Sequence, residues 1–82
     1  MKKMHLYKMV KTTNDSMKKY VGAVGTIRIL SVLDERVKFN ILNHGDITTS
    51  PVVSKFENDG LIVYETMNSS YSFREIGELI LT

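Results

Sequence analysis

Residues 21–32 constrain the fold of this chain more than any other segment. They read Val-Gly-Ala-Val-Gly-Thr-Ile-Arg-Ile-Leu-Ser-Val, a pair of glycines followed by a run rich in β-branched residues. Such a run is typical of a strand, and a glycine pair at its start predicts a bend that turns a small sheet back on itself. We therefore expect a small, curved β-structure.

The length of the chain limits what it can enclose. Its 82 residues match one small domain, so we expect residues 1–82 to fold as a single unit. A domain of this size buries about 60–65% of its unfolded surface, which leaves little room for a large enclosed active site. The chain has no cysteine, which excludes disulfides and is typical of the cytoplasm, where we expect the protein. Lys8, Lys11 and Asn14 interrupt the apolar residues near the start, so we expect neither a secretion signal nor a membrane span.

Turn signals divide the chain into short strands. Clusters of Asn, Asp, Gly and Ser recur between runs of β-branched and aromatic residues. The predicted strands cover residues 5–11, 25–33, 36–42, 47–56, 61–67 and 71–73. Residues 12–19 are polar and predict a loop with one helical turn, capped by Asn14, Asp15 or Ser16. The tail, residues 75–82, is either a last short strand or a helical turn.

The second and third predicted strands form a hairpin joined at residues 34–35. Opposing apolar residues predict a register that pairs Leu30 with Phe39. That register places Ile27 and Ile29 on the opposite face. Either this strand serves two sheets of a small barrel, or a bulge changes the register.

Three further turn signals leave alternatives open. Pro51 has no amide hydrogen, so it belongs at an edge, a bulge or a break in the fourth strand. The sequence Asn-Asp-Gly at 58–60 fits a two-residue turn or a three-residue turn with a glycine bulge. A tight turn at 68–69 predicts that Met67 pairs with Ser70, which brings Tyr64 and Phe73 together across a hairpin.

Charge is distributed unevenly along the chain. Nine of the eleven Lys and Arg residues, but only three of the nine acidic residues, lie in residues 1–38. The second half is acidic, and the net charge is +2. The chain is therefore dipolar in sequence, and the fold decides whether it is dipolar in space.

Two segments resemble known families. Val-Gly-Ala-Val-Gly-Thr-Ile, at 21–27 and followed by an apolar hairpin, resembles the Gly-x-x-Gly-x-Val/Ile core of KOW and other SH3-like barrels. Many of those barrels bind RNA or proteins of transcription and translation. Thr-Ser-Pro-Val at 49–52, followed by Thr-Met-Asn-Ser-Ser-Tyr at 66–71, resembles a pattern in short uncharacterised proteins of bacteria, phages and mobile elements. The second resemblance implies a small barrel and supplies no activity.

These observations predict an all-β fold, a small SH3-like barrel of five or six strands. The turns recur at about the 8–12-residue spacing of small sandwiches and barrels. An OB-fold is less economical, because no helix fits between the third and fourth strands.

Residues that could carry chemistry are few. The chain has two histidines, His5 and His44, whereas tetrahedral zinc takes three or four protein ligands at characteristic spacings. Gly22 and Gly25 are without the lysine and helix start of a phosphate-binding loop. We therefore predict no catalytic residues, no metal and no cofactor, and hence a protein that is not an enzyme.

Binding is the expected role. The leading hypothesis is a protein-interaction module, an accessory protein of a phage or mobile element, that acts as a monomer or weak homo-oligomer and does not bind membranes. The alternative is a nucleic-acid-binding barrel, in which cationic side chains follow the phosphates while nearby tyrosines stack on bases. Its predicted contact residues are Lys18, Lys19, Arg28 and Lys38.

Overall fold

The computed structural model describes residues 2–31 and 35–81, which form seven strands and one short helix. In chain order these are β1 (Lys2–Thr12), a 3₁₀ helix (Asp15–Tyr20), β2 (Val24–Ser31), β3 (Glu35–Ile41), β4 (Gly45–Thr48), β5 (Val52–Asn58), β6 (Leu61–Thr66) and β7 (Ser70–Leu81). The predicted all-β class is therefore confirmed. Within the described ranges, no helix is long and apolar enough to cross a membrane.

All seven strands belong to one antiparallel sheet with the order β4-β3-β2-β1-β7-β6-β5. The predicted barrel of five or six strands is corrected on two counts, since there are seven strands and the sheet is open. The reason lies at Pro51, which stands outside any strand and interrupts the predicted fourth strand. The two halves of that strand, β4 and β5, become opposite edges of the sheet, with no ladder between them in the part of the chain described here.

The sheet curls so strongly that its concave face forms the core. Three strand spacings separate β3 from β7, about 14 Å in a flat sheet. The rings of Phe39 in β3 and Phe73 in β7 nevertheless have centroids 4.9 Å apart. The buried core residues come from β1, β3, β4, β6 and β7: Met9, Val37, Phe39, Ile41, Ile47, Ile62, Tyr64, Tyr71 and Phe73.

The glycine pair acts at two different points of the bend. Gly22 has φ +97°, which suits the turn between the 3₁₀ helix and β2. Gly25 lies inside β2, where a Cβ would stand only 2.0 Å from the carbonyl oxygen of Asn40 in β3. The first glycine therefore supplies backbone freedom, whereas the second allows two strands to approach closely.

The predicted register of β2 against β3 is wrong by three residues. Phe39 pairs with Ile27 rather than with Leu30, and Ile29 pairs with Val37. An odd shift exchanges the faces, so Ile27 and Ile29 lie on the concave side and Leu30 on the convex side. Because β2 carries apolar residues on both faces, the alternation of apolar and polar residues specifies its register only weakly. Residues 32–34 lie outside the described residues, and with them part of the predicted turn at 34–35.

The turns after β5 and β6 fix the second half of the sheet. Asp59 (φ 49°) and Gly60 (φ 78°) form a two-residue turn between paired Asn58 and Leu61, which decides between the two predicted alternatives. In the next hairpin Ser70 pairs with Glu65, two residues from the predicted partner.

An even shift keeps the faces. The rings of Tyr64 and Phe73 therefore still meet, with centroids 6.1 Å apart. The tail is a strand, the end of β7, and pairs with β1 along its length.

The 3₁₀ helix closes one end of the curled sheet. Asn14 caps it by accepting a hydrogen bond from the Ser16 N–H, as one of the predicted caps. Met17 and Tyr20 pack against the core from this helix. The helical turn is therefore where the sequence predicts it.

Candidate functional site

The sheet is split between β1 and β2. These neighbours pair only at Tyr7 with Gly25 and at Lys8 with Val24, followed by backbone hydrogen bonds between Met9 and the turn at 22–23. Beyond that point, residues 2–6 pair only with β7, and residues 26–31 pair only with β3. Among the described residues these two backbone edges are therefore without ladder partners on the sides that face each other. We call this gap the split.

A groove of about 290 Å³ crosses the split on the convex face. Met4 and Leu79, a directly paired β1–β7 couple, form one apolar wall. The other wall belongs to the β2–β3 hairpin and is polar except at its end. It consists of Thr26, Arg28, Lys38, Asn40 and Leu42.

The two cations of this groove differ in their ion pairing. Arg28 and Lys38 lie directly opposite each other in the β2–β3 ladder. The Lys38 ammonium forms an ion pair with Asp46 in β4 at 3.0 Å. Arg28 is exposed and has no acidic partner within the described ranges. A guanidinium in this state offers paired N–H donors to a carboxylate or phosphate.

A second cavity, of about 440 Å³, lies beside the 3₁₀ helix, and we call it the Tyr20 pocket. Ala23 and Ile41 form its apolar part, with Lys19, Tyr20 and His44 around them. The Tyr20 and His44 ring centroids are 5.7 Å apart, and the Lys19 ammonium stands 5.3 Å from the Tyr20 ring centroid. The pocket thus combines two ring surfaces with a cation.

The four predicted nucleic-acid contacts divide between the 3₁₀ helix and the groove at the split. Lys18 and Lys19 lie on the 3₁₀ helix, whereas Arg28 and Lys38 line the groove at the split. Lys18 is engaged by Asp15 at 2.7 Å, and this hydrogen bond lowers the pKa of the Asp15 carboxyl. Two members of the set, Lys18 and Lys38, are therefore already paired with carboxylates.

Ion pairs join the basic and acidic halves of the chain. Basic β1 pairs with acidic β7 along its length, which brings Lys3 within 3.9 Å of Glu78 and His5 Nδ1 within 2.9 Å of Glu75. The Lys38–Asp46 pair joins the two halves again. β1, β2 and β3 still lie together in the sheet, as do β5, β6 and β7, so these ion pairs join the two halves without mixing their strands.

The side chains of His44 and Asp46 are both engaged by neighbouring residues. The Asp46 carboxylate is paired with Lys38, and the His44 ring packs against Tyr20. In the described part of the chain, no group of three or more His, Asp and Glu side chains is arranged to hold a metal. Burial, followed by the charges of Glu75 and Glu57, raises the pKa of Tyr7 above its ordinary value.

Sequence reasoning missed the split. Met4 lies before the predicted first strand, and Leu79 lies in the tail, for which the sequence leaves a strand or a helical turn open. The sequence therefore assigns neither residue to a groove. The one available signal was the apolar character of these two residues on the face opposite Tyr7 and Met9. Nothing local marks where β1 and β2 separate.

Comparison with known proteins gives no match to this chain, whether by protein-family model, by curated protein sequence or by solved structure.

Proposed function

We propose that this protein is a binding module that receives an extended acidic segment of a partner protein as an added strand in the split. The observation that carries the proposal is that, among the residues described, the backbone edges on either side of one groove have no ladder partners there. Exposed edges accept partner strands through main-chain hydrogen bonds, and side-chain pockets then select the sequence.

The backbone groups that would receive the partner follow from strand alternation. The Leu42 N–H donates to the Val24 carbonyl, so the backbone groups of Val24 point towards β3. By alternation those of Ile27 and Ile29 point into the split. Each offers one donor and one acceptor to an incoming strand.

The groove walls favour a particular partner chemistry. Arg28 would bind a carboxylate of the incoming segment on the convex face, while the apolar side chains that alternate with it would turn to the concave face, which carries Ile27 and Ile29. An alternation of acidic and apolar residues is therefore the expected recognition pattern. The proposal includes two expectations from the sequence. These are a cytoplasmic location and an origin in a phage or mobile element.

A peptide titration tests this function. The probe is a peptide of alternating Glu and Val residues, and the control peptide has Lys in place of Glu. We expect the acidic peptide to shift the amide resonances of Ile27 and Ile29 and to slow their hydrogen exchange. The Arg28→Gln variant should bind about tenfold more weakly, because one charge-assisted contact is lost. Arg74→Gln, on the convex face of β7 outside the groove, is the matched control and should bind as the wild type does.

Three results would contradict the proposal. These are no binding of the acidic peptide at millimolar concentration, equal binding of the Lys peptide, and resonance shifts confined to residues outside the split. A partner captured from lysate only while nucleic acid is intact would favour the second candidate instead.

The second candidate is single-stranded nucleic acid at the Tyr20 pocket. The observation that favours it is the grouping of Lys19, Tyr20 and His44, since rings stack on bases and cations attract phosphates. A short oligothymidylate should then shift the amides of Tyr20 and His44, with an affinity that falls steeply as salt rises. Tyr20→Leu should weaken binding, and unchanged affinity in that variant would exclude the site.

A further inference from the structure

β5 forms an edge of the sheet that is exposed along most of its length. It pairs with β6 on one side, and residues 54–58 are all exposed. Phe56, at the centre, is 57% exposed, which is unusual for an aromatic side chain of this size. An exposed edge strand with a large apolar side chain at its centre is a surface that native proteins either protect or use.

The free hydrogen-bonding groups of this edge belong to Lys55 and Glu57. The Glu75 N–H donates to the Gly60 carbonyl at 2.7 Å, so the backbone groups of Gly60 point towards β7. By alternation the groups of Val63 point towards β5, where Val63 pairs with Phe56. The backbone groups of Phe56 are thus used within the sheet, whereas those of its two neighbours point outwards.

We propose that β5 pairs in antiparallel fashion with β5 of a second copy of this chain, about a two-fold axis at Phe56. This register places Lys55 of each copy opposite Glu57 of the other, with the outward backbone groups of both residues in hydrogen-bonding positions. The two Phe56 side chains meet at the axis as a non-hydrogen-bonded pair, the arrangement in which opposing side chains are closest.

Charge selects this register over its neighbours. Moving the axis by one residue would set either Glu57 against Glu57 or Lys55 against Lys55, and like charges directly opposite destabilise a ladder. Within one copy Lys55 and Glu57 already form an exposed ion pair at 3.4 Å. They lie on the same face of β5, so both can turn to the second copy at little cost.

The pairing closes on itself. A two-fold contact between equal strands uses up both β5 edges and joins the two sheets into one. The opposite edge, β4, is only four residues long, which limits further growth. The contact area is below roughly 1,200 Å², so the dimer forms at high protein concentration and dissociates on dilution.

Charge reversal at two positions tests both the dimer and its register by sedimentation of the full chain. Lys55→Glu and Glu57→Lys each create two like-charge pairs, and each should raise the dimer dissociation constant about tenfold. An equimolar mixture of the two variants should recover dimers, because every pair is again of opposite charge. Lys11→Glu, an exposed lysine on β1, should have no effect, and circular dichroism checks that each variant is folded.

Cysteine cross-linking gives an independent readout, since the chain has no cysteine of its own. Oxidised Phe56→Cys should form a disulfide dimer rapidly, whereas Thr48→Cys on β4 should not. A wild-type protein that remains monomeric at millimolar concentration would overturn the proposal. So would a mixture of charge variants that does not associate, or equal cross-linking of the two cysteine variants.

Discussion

Phe39 and Phe73 meet edge to face, with ring centroids 4.9 Å apart at an interplanar angle of 61°, although β2 and β1 lie between their strands. This contact joins the two halves of the curled sheet across its concave face. Both side chains are almost completely buried.

Truncation of this contact should be costly. We expect Phe73→Ala to lower the free energy of unfolding by about 3–5 kcal/mol, because it removes a fully buried ring and leaves a cavity. Phe56→Ala, on the exposed edge, should cost less than about 1 kcal/mol and serves as the control. Urea denaturation monitored by circular dichroism measures both. Similar losses for the two variants would mean that the core is not where the structure places it.

Gly25 should tolerate no side chain. A Cβ there would meet the Asn40 carbonyl oxygen at 2.0 Å, so Gly25→Ala should destabilise the protein by about 2–3 kcal/mol through backbone displacement. Gly77 lies in β7, where a methyl group would find nothing within 4 Å and φ is not positive. Gly77→Ala should therefore be neutral or stabilise by about 0.4–1 kcal/mol. Thermal unfolding measures both variants. The midpoint should fall for Gly25→Ala and should stay unchanged or rise for Gly77→Ala.

The cap of the 3₁₀ helix also ties it to β7. Asn14 accepts from the Ser16 N–H through its side-chain oxygen and donates through Nδ2 to the Tyr71 hydroxyl at 2.9 Å. Asn14→Ala should lose about 1–2 kcal/mol, since both bonds disappear. Asn14→Asp keeps the cap, and its second carboxylate oxygen can accept from the Tyr71 hydroxyl, so its loss should be smaller. Equal losses in chemical denaturation would show that an acceptor oxygen at this position does not stabilise the end of the helix.

Burial raises the pKa of Tyr64 above its reference value of 10.0, with smaller contributions from Tyr7 and Glu57. A raised pKa in the folded state means that the unfolded chain releases this proton first. The contribution of Tyr64 to the free energy of unfolding is therefore fully present below pH 10.0 and is lost as the pH rises through the folded pKa. Tyr64→Phe should reduce the loss of stability between neutral pH and strongly alkaline pH. An identical alkaline decline in the variant would assign the effect to other groups.

Hydrogen exchange should report the split directly. The amides of Thr26 and Arg28 are bonded to β3, whereas those of Ile27 and Ile29 point into the split, so protection should alternate along β2. Uniform slow exchange from residues 26 to 29 would indicate that β1 and β2 are paired throughout. This measurement needs no ligand and can precede the peptide titration.

The sequence predicts the local features of this fold better than its long-range ones. The glycine-rich bend, the Asn14-capped turn and the tight turn at 59–60 depend on a few neighbouring residues, and all are present. The register of β2 could not be predicted, because that strand is apolar on both faces and its alternation does not single out one partner.

The candidate site was predictable only in part. Arg28 and Lys38, two of the four predicted nucleic-acid contacts, line one groove, and their role in binding stays a prediction. The groove itself depends on where two strands diverge, and that follows from the packing of the whole sheet. The pattern of residue types along one strand does not indicate where two strands separate.

Residues 49–51 also have a mechanical role. They are the only covalent link between the two edges of the sheet, and three residues with their flanking bonds reach at most about 14 Å when extended. The end of β4 and the start of β5 must therefore stay close whatever the core contains. This short tether keeps the sheet from flattening, so a core mutation can loosen side-chain packing while the curvature persists.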